Sequence, residues 1–213
     1  MKKQNEIGDC KTYHHGDLRN TLIIAAGELI EEKGSADFAM IDAARLAQVS
    51  SAAPYRHFED KNALLQAVAE VAFLALTDVA RTASAQAPHG SSESLILQGK
   101  AYITFVTEHP AFYDLMWGDV GLRQRDMDEM ELQTSGFYIL VEAVNAWCAA
   151  AGAANNDPLE LSVKFWAMAH GLACLAMTSN IDQVLPGADV FELFESSAMT
   201  FLEGLRPPAG VTN

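Results

Sequence analysis

Helix-stopping residues punctuate this chain. Gly34, the run Pro88-His89-Gly90, Pro110, Gly118, Gly152, the turn Asn155-Asn156-Asp157-Pro158 and Leu185-Pro186-Gly187 separate segments whose apolar residues recur at helical spacing. Strand-like alternation is weak throughout. The first segment shows the pattern most clearly: Asp17 can cap a helix carrying Leu18, Leu22, Ala25, Ala26, Leu29 and Ile30 on one face, and Gly34 ends it. Further helices are expected at about 41–47, through Phe58, and at 62–84, 93–108, 111–117, 126–151, 158–179 and 189–204. The chain therefore reads as all-α, with about nine helices: a small N-terminal group of three and a larger bundle behind it. The expected division is an arm and small helical domain at 1–62 and a bundle at 63–213.

The small group holds the most informative stretch, VSSAAPYRHFEDK at 49–61. A short helix with Ala43, Ala44 and Ala47 on one side precedes it, and small residues there let another helix approach closely. A tight break at Gln48-Val49-Ser50-Ser51 follows, then a second short helix capped by Ser50 or Ser51, with Pro54 in its first turn where the missing N–H costs little. Short helix, tight turn and short helix make a candidate helix-turn-helix. Its mechanics suit DNA. Small residues at the start of the second helix (Ser51, Ala52, Ala53) admit backbone close to the duplex. Tyr55, His57 and Lys61 can donate to phosphate oxygens, and Arg56 can reach phosphate or a guanine edge. The alternative is a three-helix unit with Tyr55 and Phe58 in its core and the remaining residues merely solvated.

Charge sharpens the contrast between the two regions. The net charge is −14. Residues 1–66 hold eight basic and ten acidic residues, whereas 67–213 hold six and eighteen. So acidic a whole argues against loose binding to nucleic acid, which depends on summed positive charge, but leaves room for a local basic face.

The segments HGDLRNTLIIAAGELIEEKG and AARLAQVSSAAPYRHFEDKNALLQAV resemble the N-terminal domain of the TetR/AcrR family of transcriptional regulators. The pattern V-S-x-x-x-x-Y-x-x-F-x-x-K-x-x-L-L is met by Val49, Ser50, Tyr55, Phe58, Lys61, Leu64 and Leu65. Downstream, HPAFYDLMWG (109–118) and the W-x-x-x-H-G of Trp166, His170 and Gly171 resemble a C-terminal domain of that family named for the tripeptide. The resemblance implies that Ser50, Ser51, Ala52, Tyr55, Arg56, His57 and Lys61 fall where family members touch operator DNA. It also implies a ligand-responsive regulator, most often a homodimeric repressor on a palindromic operator, in which an effector in the bundle alters the separation of the two DNA-reading units. Two positions depart from the family pattern: Gln48 stands where glycine is common, and Ile41 where a polar residue is common. With small base-facing residues, specificity would lean on Arg56, the lysines of the N-terminal arm and DNA shape.

Aromatic residues supply the candidate effector site. Phe105, Tyr113, Trp117, Tyr138, Trp166 and His170 offer surface for a mostly apolar molecule. His170 follows Trp166 by four residues on the same helix face, as a packed histidine also would. Phe112, Phe137 and Trp147 fit the same spacing, although such aromatics are commonly plain core. Beyond residue 66 the basic residues are Arg81, Lys100, Arg123, Arg125, Lys164 and Arg206, so a buried anion would find few partners. A neutral or cationic ligand is expected.

Other constellations point nowhere in particular. Asp126, Asp128, Glu129 and Glu131 read as acids favoured at a helix start rather than as metal ligands. His14-His15 read as part of a polar arm. No metal or cofactor is expected, and no G-x-S-x-G, H-E-x-x-H, Walker-type or strand-borne glycine motif marks an enzyme.

The first residues, MKKQNEIGDCK, are too polar for a signal peptide core, and the most apolar stretch, 166–177, is shorter than a membrane span. Cys10, Cys148 and Cys174 form no C-x-x-C pattern and suit reduced thiols. A cytoplasmic protein without membrane attachment is the expectation. Small residues in the last two long helices (Ala167, Ala169, Gly171, Ala173, Ala176, Ser196, Ser197, Ala198) point to a homodimer contact there. The rival reading is a helical module that binds or converts small molecules and never touches DNA.

Overall fold

The computed structural model describes residues 18–118 and 136–207. Within them lie α1 (Leu18–Lys33), α2 (Met40–Leu46), a 3-10 turn (Pro54–Arg56), α3 (Lys61–Ser84), α4 (Ser92–Glu108), α5 (Pro110–Trp117), α6 (Gly136–Ala151), α7 (Pro158–Met177), α8 (Asn180–Val184) and α9 (Val190–Gly204), with no strand among the described residues. The fold is all-α, as the spacing implies. Three details differ from the expectation. The second helix of the turn motif is a single 3-10 turn, a short α8 intervenes before the last helix, and the helix expected from 126 is described from Gly136 onward. The acidic group at 126–131, Asp17, His14-His15 and the arm lysines lie outside the described residues.

Helices begin where a short acceptor side chain can bind free N–H groups. The Asp60 carboxylate accepts from the Ala63 N–H at 2.8 Å, Ser91 Oγ from Ser94 at 3.1 Å, and Asp189 Oδ1 from Phe191 at 2.7 Å. Asp157 caps α7 in the same way, accepting from Leu159, and Pro158 occupies the first helical position.

Two hydrophobic cores result. Leu22, Ala26 and Ile30 of α1 pack with Phe38, Ala43, Phe58, Leu64, Leu65 and Val68 in the N-terminal core. Leu95, Ile103 and Val106 of α4 pack with Trp147, Phe165 and Phe194 in the larger one. α3 belongs to both: residues through Ala69 enter the first core, and Ala72 and Leu76 enter the second. α5 is shared too, with Ala111 and Leu115 in the first core, Met116 in the second, and Phe112 packed against each.

In the larger core Gly99 lets α4 meet α9 closely, since a Cβ there would strike the Phe194 ring. Trp147 is fully buried and its indole N–H donates to Ser92 Oγ at 2.9 Å, a structural arrangement. Cys148 is buried and Cys174 half-buried, and both are free thiols. The one described helix long and apolar enough to cross a membrane is α3, not 166–177, and half of its apolar window is buried between the two cores.

Candidate nucleic-acid interface and effector site

The break after α2 is a Schellman-type helix end. The Val49 N–H donates to the Ala44 carbonyl at 2.9 Å and the Gln48 N–H to Arg45 at 3.1 Å. Closing this pattern requires a left-handed residue, and Gln48 takes it at φ 57°. That accounts for glycine being common at this position in the resembled family, and for a local cost when glutamine fills it.

Beyond the break, the N–H groups of Ala53, Arg56, His57 and Phe58 all donate to nearby carbonyls, those of Ser50, Ala53 and Pro54. Pro54 fits because it brings no donor. No serine side chain caps this turn; Ser50 enters through its carbonyl, which accepts from Ala53 at 2.9 Å. Those four N–H groups are therefore committed within the turn, and its exposed side chains carry the polar groups turned to solvent.

Those side chains divide cleanly. Ser50, Ser51, Ala52, Tyr55, Arg56 and His57 are exposed, while Pro54 and Phe58 are buried beneath them. Tyr55 is 61% exposed, which removes it from the core, and Phe58 is the anchor. Ala53 is buried and does not face a partner, contrary to the reading from sequence. Lys61 is half-buried, its ammonium 4.9 Å from the centre of the Phe38 ring. That contact holds the lysine stem beside the turn. Arg19, which the sequence did not single out, lies over Phe58 at 5.3 Å and adds a guanidinium from α1. Ile41 is half exposed, an apolar residue on the outer side of α2.

A second constellation gathers inside the bundle. His170 Nδ1 lies 2.6 Å from the Tyr102 hydroxyl and Nε2 lies 3.2 Å from the Tyr113 hydroxyl. Tyr113 also reaches Cys174 Sγ at 2.9 Å. One assignment satisfies every group: Tyr102 O–H donates to Nδ1, Nε2–H donates to Tyr113, and Tyr113 O–H donates to the sulfur. Desolvation lowers the His170 pKa, which favours the neutral ring this assignment needs. Burial pushes the Tyr113 hydroxyl up to about 12 and the Tyr102 hydroxyl further in the same direction, so both remain protonated.

Aromatic rings surround this chain of groups. Trp117 packs on Trp166 at 5.2 Å, edge-on to His170 at 5.6 Å and edge-on to Phe73 at 5.4 Å, and Phe137 meets Trp166 at 5.9 Å. Four of the six aromatic-site residues, Tyr113, Trp117, Trp166 and His170, are thus brought together. Phe105 lies elsewhere. It stacks on His109 at 5.2 Å and lines an apolar groove of ≈ 610 Å³ between α1, α3, α4 and α5, with Ile23, Ile24 and Phe112. His109 spans the same region, its Nδ1 lying 2.6 Å from the Glu31 carboxylate. Tyr138 is half-buried on α6 and is not among the rings stacked at this cluster.

Tyr102, Cys174 and Phe73 were missed in the sequence. So was Gln98, which is 4% exposed with both side-chain amide atoms lacking a hydrogen-bond partner. The Trp117 indole nitrogen is likewise buried, and it acts on the Tyr102 hydroxyl.

A small three-helix unit with an exposed polar turn, joined by a shared helix to a bundle with a polar–aromatic interior, defines the class of two-part helical DNA-binding regulators. Comparison places the chain within it. Residues 22–68 match the model of bacterial regulatory proteins of the tetR family, and residues 95–201 match the tetracyclin repressor-like C-terminal domain. The chain belongs to the TetR family of transcriptional regulators.

Among solved structures it is similar to a protein of unknown function from Rhodococcus sp. RHA1, 30% identical over 92% of this chain and 100% of that one, with a TM-score of 0.77. A TetR family transcription regulator from Marinobacter aquaeolei VT8 is 17% identical over 86% and 94%, with a TM-score of 0.55. A flavonoid-responsive regulator, FrrA, is 20% identical over 91% and 100%, with a TM-score of 0.56. No curated protein matches the chain significantly.

Proposed function

We propose that the chain is an effector-released repressor that binds a palindromic operator as a homodimer. Ser50, Ser51, Ala52, Tyr55, Arg56, His57 and Lys61 meet the duplex, and a neutral, mostly apolar effector enters the bundle among Tyr113, Trp117, Trp166 and His170. The observation that carries this reading is the exposed polar rim of Tyr55, Arg56 and His57 standing on buried Pro54 and Phe58. A structural turn has no need to present three consecutive donors to solvent. Phosphate contacts from Tyr55, His57 and Lys61 would set register, and Arg56 would read a base edge. The working division of labour follows the expected halves, 1–62 for DNA and 63–213 for effector and assembly, in the cytoplasm where the operator lies.

The outward face of α7 supports assembly. Leu159, Val163, Ala167, Gly171 and Leu175, each four residues apart, are all exposed in the single chain, and a Cβ on Gly171 would meet nothing. By contrast Ala169, Ala173 and Ala198, expected at the dimer contact, are buried inside the subunit.

Release follows if the effector favours one spacing of the two DNA-reading units over the other. The deciding experiment is a gel shift on the DNA flanking the protein's own gene, repeated with candidate effectors while tryptophan fluorescence is followed in single Trp→Phe variants. A specific shifted band, lost as the Trp117 and Trp166 signals change, is the expected result. No binding to any flanking fragment at micromolar protein would leave the fold as a small-molecule module instead.

A further inference from the structure

A buried primary amide with nothing to bond is costly, because its donor and acceptor lose water and gain no partner. Gln98 is in that state on the buried side of α4. It precedes Tyr102 by one turn of α4, so the two side chains lie on the same helix face. Tyr102 in turn bonds His170, against which Trp117 packs, and the Trp117 indole also acts on the Tyr102 hydroxyl. The run from Gln98 through Tyr102 and His170 to Trp117 thus has an open donor and acceptor at its Gln98 end, with aromatic faces beside it. The Tyr102–His170–Tyr113–Cys174 groups beyond it are already partnered.

We propose that Gln98 is the specificity-determining residue of the effector site and that the effector is a neutral, planar, lactam-like molecule. By lactam-like we mean an N–H donor and a C=O acceptor on adjacent atoms, which pair with the Gln98 amide. This rests on the reading above that an effector enters the bundle, and narrows it from any neutral, mostly apolar molecule to one edge chemistry. A carboxylate is disfavoured because none of the groups in the run is cationic at neutral pH: two phenols, a primary amide, an indole and a histidine whose pKa desolvation lowers. A plain hydrocarbon would leave the orphaned amide as it is. A molecule with the paired edge repairs it, and the amide discriminates against analogues lacking either half.

The test uses the full chain labelled with 15N-tryptophan, which has three indole resonances, from Trp117, Trp147 and Trp166. Trp147, already bonded to Ser92, is the internal control. The probes are 2-quinolinone, N-methyl-2-quinolinone and naphthalene. 2-Quinolinone should shift the Trp117 resonance and bind about tenfold more tightly than its N-methyl analogue, the factor expected for one hydrogen bond to a buried group.

In Gln98→Leu that ratio should fall to about one, and the ligand-free variant should melt at a higher temperature because the orphaned amide is gone. Equal binding of all three probes with Trp117 shifts would leave the effector site standing and overturn the lactam assignment. A tenfold ratio that persists in Gln98→Leu, or a lower melting temperature for that variant, would also overturn the role of Gln98. Failure of every probe to move Trp117 or Trp166 at millimolar concentration would remove the bundle site itself, and the lactam proposal with it.

Discussion

Single residues in this protein hold positions that a different side chain would fill more cheaply. Gln48 closes the end of α2 at φ 57°, a conformation in which an L-residue with a Cβ is disfavoured. Gln48→Gly should therefore stabilise the protein by about 0.5–1 kcal/mol, read as a shift in denaturation midpoint, because the left-handed conformation suits glycine. Unchanged stability would mean that the Gln48 side chain recovers the cost elsewhere.

His170 makes a second residue-scale prediction. Desolvation lowers its pKa in the folded state, so the unfolded chain binds a proton at higher pH than the native one does. Its neutral form thus contributes stability that is present above the ordinary histidine range and is lost as pH falls through it. Melting temperatures at pH 7.5 and 5.5 should differ more for the wild type than for His170→Asn. An equal pH response in both would show that other groups set it.

At the scale of elements, the turn after α2 is held by a few anchors. Phe58 fills the space below it, Pro54 supplies the right φ and no surplus N–H, and the Phe38 ring steadies Lys61 at the start of α3. Lys61→Ala should weaken binding to operator and unrelated DNA alike, and should lower the salt dependence by about one counterion per half-site. Arg56→Ala should cost roughly 1–3 kcal/mol, concentrated at one operator position, if the guanidinium reads a base. Binding isotherms across a salt series, with operators varied one base pair at a time, separate the two effects. An unchanged affinity and slope for Lys61→Ala would put the duplex elsewhere.

Helical spacing also shows what a sequence does and does not disclose. The periodic runs in α1, α3 and α4 are legible because each buries one stripe, whereas the second short helix expected in the turn motif is a 3-10 turn. Propensity does not separate the two over so few residues, and the difference lies in where four N–H groups find acceptors. The same limit hid Gln98. A glutamine in an amphipathic run reads as polar surface, and only the packing of α4 among α3, α7 and α9 turns it inward.

For the molecule as a whole, assembly is the property most exposed to test. The small residues expected at a dimer contact split: Ala169, Ala173 and Ala198 face the subunit's own core, while Ala167 and Gly171 face out. Composition shows that small residues are present, but which of them point outward depends on how the bundle closes. Gly171→Glu should therefore yield a folded monomer, helical by circular dichroism and half the mass by light scattering, whereas Ala173→Glu should fail to fold. The aromatic residues expected at an effector site divide by the same cause. Trp166 and His170 share a face of α7 and meet Tyr113 and Trp117 from α5, whereas Phe105 turns to the groove beside α1. Sequence distance says nothing of that choice.

The sharing of α3 between the two cores bears on how regulators of this build can be recombined. Leu64, Leu65 and Val68 are cemented to the N-terminal unit, whereas Ala72 and Leu76, about one and two turns further on, are fitted to the bundle. A hybrid spliced at the outward border of the turn motif, near residue 62, would carry the wrong half-helix into the donor's hydrophobic interior and leave it poorly packed. Moved a short way along, to the few residues between Ala69 and Ala72, the splice would leave each interior with its own complement of side chains. The place where specificity can be exchanged is thus a point inside a continuous helix, and not a loop.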